Sequence, residues 1–215
     1  GSVKIMSANA GTAGASGMLV FSSGTASSGN SGLVMIGSGA STGGRGGSIA
    51  LTVGSGTSGA GGYLRVQSGR STTATGGALT IETGEGTATT SGMIALRTFN
   101  GGANGVSGKM IFSSGTTGKG NSGALYVGSG AATTGKGGSI SVTVGSGDSG
   151  AGGAIAVTAG TSTHASSVGG SISVVSGDST GTTAGVGGAL FAAAGVGKSQ
   201  TGGAVTIEGG VGTDT

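Results

Sequence analysis

The residues that could do chemistry in this chain are few and far apart. Gly195, Val196, Gly197, Lys198 and Ser199 end like a phosphate-binding loop, in which backbone amides and a lysine cradle phosphates. The leading glycine of that motif falls at Ala192, within a column of apolar residues, and no helical pattern follows. The run therefore reads as a corner loop. His164 is the single histidine, with no cysteine and no acidic cluster beside it, so it supplies neither a zinc set nor a catalytic triad. It reads as a solvated loop residue.

The six acids are Glu82, Glu85, Asp148, Asp178, Glu208 and Asp214. A calcium-binding glycine-rich array needs an aspartate in nearly every turn. A glycosidase needs two converging carboxylates about 5–10 Å apart. Neither pattern is present. Glu85 with Arg70, and Glu82 with Arg97, fall in matching columns of neighbouring repeats and read as surface ion pairs worth at most ~1 kcal/mol each. The expectation is a chain that is not an enzyme, with no catalytic residue, no cofactor and no metal.

Two rows of residues point to surfaces rather than to reactions. Thr42, Thr57, Thr72 and Thr87 occupy one column in four consecutive repeats, with Ser27 before them. Stacked in register they would form a hydroxyl file at about 4.8 Å spacing, an arrangement that can order water, as ice-binding arrays do. Threonine is also simply favoured in strands, and the file breaks at Gly118 and Asp148. The second row is apolar: Met18, Val20, Leu33 and Met35, then Ile111 and Tyr126. Contiguous exposed apolar residues suggest a partner surface, here the side of a second copy.

The elements that would position these rows come from a short repeat. Starting glycines recur at Gly1, Gly17, Gly32, Gly47, Gly62, Gly77, Gly92, Gly108, Gly123, Gly138, Gly153, Gly170, Gly188 and Gly203, mostly 15 residues apart. Counting each as position zero, position two is apolar in all fourteen repeats, and position four is large and apolar in all but one, where Ala192 stands. Position six is small and position seven is glycine in twelve repeats. Apolar residues two apart define a strand with one buried face. The glycine at position seven would turn the chain. The other half of each repeat, as in GTASSGNS or GASTGGRG, holds Gly, Ser, Thr and Ala almost alone.

Repetition at this period predicts an all-β fold, a single flattened parallel β-solenoid of about 14 coils with roughly 15 residues per coil. Coils stacked at about 4.8 Å would make a continuous rod over residues 1–215, roughly 65 Å long. A longer, six-coil repeat overlies the short one, with blocks at 1–91 and 92–187 and a partial block at 188–215. Residues 47–61 match residues 138–152 at twelve of fifteen positions. The absence of polar caps suggests a fragment of a longer array.

Composition narrows the function classes. Glycine accounts for 57 of 215 residues, proline and cysteine are absent, and only 7% of residues are charged. The net charge of +3 is scattered, with no basic cluster and no aromatic stacking platform, which argues against nucleic acid. No run is long and apolar enough for a membrane span. A chain this poor in charge and rich in Ser, Thr and Gly fits an extracellular or cell-surface location.

The runs GGSISVTVGSGDSGAGGAIAVTAG and GGALTIETGEG resemble the Gly/Ser/Thr-rich β-solenoid repeats of large secreted or cell-surface proteins of diatoms and other aquatic microbes. The resemblance covers the whole chain and is one of repeat style. It implies a structural, wall-associated or adhesive role and carries no catalytic residue across. The expected function is a structural or adhesive spacer whose partners are copies of itself, or ice, or a wall or mineral surface. The alternative is an ice-binding module that uses the threonine row.

Overall fold

The computed structural model describes residues 1–198 and 201–212. The chain divides into two halves, Gly1–Met110 and Ile111–Thr215. Within each half the same local pattern repeats. A short stretch free of bends and turns covers positions zero to six, and bends or turns fall in the small-residue segment that follows. Bends or turns mark these segments, for example at Thr42–Gly44, Thr72–Ala74 and Lys119 with its neighbours.

The flattened parallel β-solenoid expected from the repeat is not formed. Among the described residues there is no strand and no helix. A solenoid requires each extended stretch to pair with its equivalent one repeat later, about 15 residues on. Instead, six of the small-residue segments close by a backbone bond between position seven and the next starting glycine. The Gly77 amide donates to the Gly69 carbonyl at 2.9 Å, Gly92 to Gly84 at 3.1 Å, and Gly203 to Gly195 at 2.9 Å. The chain thus makes a series of Ω-type loops whose ends meet. Local closure needs far less chain ordering than a coil-on-coil ladder. The small-residue segments also offer no apolar wall to cover the extended stretches.

The consequence is that no residue is buried among the described residues, and the accessible surface is 21047 Å². A compact protein of 19.2 kDa exposes about 8,400 Å² and its extended chain about 28,000 Å². The position-two residues Leu64, Leu79 and Ile94, expected to stack into a dry spine, are all more than half exposed. The pairings of Glu85 with Arg70 and of Glu82 with Arg97 rested on that stacking and go with it.

The alternation expected within the stretches survives in part. From Leu19 to Val205, the position-two side chains are 46–67% exposed, whereas Met18, Met93 and Tyr126 at positions one and three are 84–92% exposed. The shielding is confined to position two: position-four residues are 62–93% exposed where they are large, as much as Val20 at 65% and Ile111 at 70% on position three.

The glycine that works sterically is the one at position zero. A Cβ built on any starting glycine from Gly17 to Gly203 would lie 3.6 Å or less from a side-chain atom of position six in the preceding repeat. At Gly62 that atom is Val53 Cγ1, 2.7 Å away. The turning role expected for position seven holds at Gly24, with φ +77. A Cβ on Gly39, Gly54 or Gly69 would meet nothing within 4 Å, and none of them has a left-handed backbone.

Candidate functional site

The recurring built feature is the loop neck, where position six meets the next starting glycine. Ser38 shows its parts. Its Cβ lies 3.0 Å from where a Cβ on Gly47 would stand, and its hydroxyl donates to the Gly47 carbonyl at 2.8 Å. The Gly47 amide in turn donates to the Gly39 carbonyl at 3.4 Å. Ser129 donates to Gly138 at 2.8 Å, Ser7 to Gly17 at 2.9 Å and Thr98 to Gly108 at 3.1 Å. Ser68 reaches one residue further, to the Ala78 carbonyl at 2.9 Å. A small residue at position six and a bare backbone at position zero allow this approach; where position six carries a hydroxyl it can add a bond, and with Ala159 or Ala194 there the backbone bond still forms at 2.9 Å. The sequence carries the signal, because position six is Ser, Thr, Val, Ala or Gly in every repeat.

The neck tolerates loops of different length. Gly39 and Gly47 enclose seven residues, whereas Gly177 and Gly188 enclose ten and still bond at 2.9 Å. Gly160 and Gly170, in the other irregular repeat, also bond at 2.9 Å. Extra residues bulge into the loop and leave the closure intact. Inside the loops, hydroxyls cap their own backbone. Ser71 Oγ accepts the Ala74 amide at 2.9 Å, and Thr117 Oγ1 donates to the Lys119 carbonyl at 2.9 Å.

Thr42, Thr57, Thr72 and Thr87 each stand at the first bend of their loop, and all four are exposed. Their expected spacing rested on stacked coils; what they share in the structure is this equivalent place, one per loop. Met18, Val20, Leu33 and Met35 lie in the first half, Ile111 and Tyr126 in the second, and all six are exposed, Tyr126 at 92%.

The groups with chemical potential stay apart. His164 sits in an exposed local turn, where its Nδ1 accepts the Ser166 amide at 3.3 Å and lies 3.4 Å from Ser167 Oγ. Among the described residues no three of His, Cys, Asp and Glu come together, and no cavity opens. Lys198 is exposed at the end of the phosphate-loop-like run, while Ser199 of that run and Asp214 lie outside the described residues. No helix of the described residues is long and apolar enough to cross a membrane. Comparison with family models, with curated proteins and with solved structures gives no match.

Proposed function

We propose that this chain is a structural or adhesive segment of an extracellular or cell-surface protein, a repeat array that spaces or attaches what flanks it. The observation that carries this reading is the same neck bond in six of the loops, with loop length free to vary between Gly39–Gly47 and Gly177–Gly188. A scaffold that repeats its closure and leaves its loops variable suits display and spacing. Charge at 7% of residues and abundant Ser, Thr and Gly support a surface location.

Antibodies raised against the chain and applied to intact source cells test the reading. Labelling of the wall or outer surface is expected. Labelling only after the cells are broken open would overturn it.

A second reading, ice binding, draws support from Thr42, Thr57, Thr72 and Thr87, each exposed at the same bend of successive loops. It predicts thermal hysteresis and faceted ice crystals in micromolar protein. Ice growth unchanged by the protein would remove it.

A further inference from the structure

We propose that the extended stretches, positions zero to six of each repeat, are covered by a second copy of this chain. In this arrangement the apolar residues at positions two and four of the two copies face one another and the free backbone groups of the copies pair. The inference deepens the structural reading above and rests on it.

The first argument is area. The chain exposes 21047 Å², some 12,600 Å² above what a compact chain of its mass would expose. A stable interface needs about 1,200–2,000 Å². The chain therefore holds unburied surface for several such interfaces, and much of it is aliphatic, as at Leu19, Val34, Ile49, Leu64, Leu79 and Ile94.

The second argument is the backbone. Eight backbone–backbone hydrogen bonds are made among the described residues, and each closes a loop or a local turn. A folded chain makes about one per residue, most of them between backbone groups. Positions one to five of the extended stretches therefore carry free amides and carbonyls beside an alternating apolar row. Although no strand is formed within the chain, free backbone groups of this kind are a template for pairing with another chain.

The third argument is the match of period and charge. Positions two and four are apolar in nearly every repeat, so the partner must present apolar groups at the same 15-residue interval. A second copy does so by construction. The net charge of +3, spread over 215 residues, gives little repulsion against it. The row at positions one and three, by contrast, is apolar in only some repeats, with Arg65 and Lys109 among its members. The continuous seam is therefore the face that carries positions two and four.

Sedimentation of the whole chain across a concentration series tests this, together with far-ultraviolet circular dichroism. The expected result is a mass that rises from 19.2 kDa to a defined multiple, with strand signal appearing in step. Replacing Leu64, Leu79 and Ile94 by aspartate should shift the midpoint of association at least tenfold to higher concentration. A control with the same added charge in the loops, Ser28→Asp, Ala60→Asp and Ala88→Asp, should shift it far less. A mass that stays at 19.2 kDa at every concentration overturns the inference. So does association that the two triple variants weaken equally. Either result leaves the surface-labelling test of the structural role untouched.

Discussion

The Ser38 hydroxyl donates to the Gly47 carbonyl at 2.8 Å, and its Cβ stands 3.0 Å from the place a Cβ on Gly47 would take. Residue type at each end of this pair is fixed by the other. A larger side chain at position zero would collide with position six, and a residue without a hydroxyl at position six would remove the donor.

Gly47→Val should open that neck. Valine must push Ser38 away, which also stretches the Gly47 amide from the Gly39 carbonyl. Loss of a net ~1 kcal/mol of closure raises the open population about fivefold. Arg45 lies inside the loop, so trypsin cleavage after Arg45 reports the opening when loop motion is fast. The expected result is cleavage about fivefold faster than in the parent chain. Gly43→Val adds the same side chain to the same loop, where a Cβ would meet nothing within 4 Å, and should leave the rate near that of the parent. Equal acceleration by both variants would mean the neck does not control the loop.

Ser38→Ala separates the hydrogen bond from the packing. The alanine keeps the Cβ contact with Gly47 and loses only the donor, so its effect should be smaller than that of Gly47→Val, a few-fold at an exposed bond. Ser38→Thr should restore the parent behaviour, since Thr98 at the same position donates to Gly108 at 3.1 Å. Exchange of the Gly47 amide, followed by NMR, measures the series. Threonine behaving like alanine would show that the hydroxyl carries nothing.

The period, the alternation and the placement of the loops were legible in the residues. Leu64 and Tyr63 illustrate it: adjacent in sequence, they differ in exposure, 61% against 85%, on the sides the two-residue period assigns. The partner of each extended stretch was not legible. A period-two pattern says which side chains share a side, not what covers them. A glycine every 15 residues serves a coil corner and a loop neck equally well. The deciding contact, position six on the next position zero, spans only 9–12 residues and mostly involves Ser, Thr and Gly, residues also common in any turn. The threonine row shows the same limit. Its members do share an equivalent place, but the spacing between them depended on a stacking that Ser, Thr, Gly and Ala segments have no apolar surface to support.

Insertions should be tolerated in the loops and not in the extended stretches. The ten residues between Gly177 and Gly188 leave a neck bond of 2.9 Å, so two extra glycines after Gly44 should leave protection of the Gly47 amide within about twofold of the parent, because doubling a loop costs only about 0.6 kcal/mol. One residue inserted between Leu64 and Arg65 moves Val66 to the opposite side of its stretch. Sedimentation should then show weakened association with the Gly47 neck unchanged. An unweakened midpoint would mean that the alternation is not what the copies recognise.

Val144 marks a neck without a donor. Its Cγ1 crowds the place of a Cβ on Gly153, and no hydrogen bond joins the two ends of that loop. One repeat earlier, Ser129 makes the bond to Gly138 that Val144 cannot make to Gly153. Val144→Ser should therefore install the missing closure, with a net gain of about 0.5–1.5 kcal/mol set against the loss of a small apolar contact. Asp148 lies in the loop between them and is exposed, so an aspartate-directed protease reads the change. Cleavage should slow a few-fold in Val144→Ser. Val144→Ala, which removes the same methyl groups and adds no donor, should not slow it. Equal rates in the two variants would place the resistance in side-chain size and not in the hydroxyl.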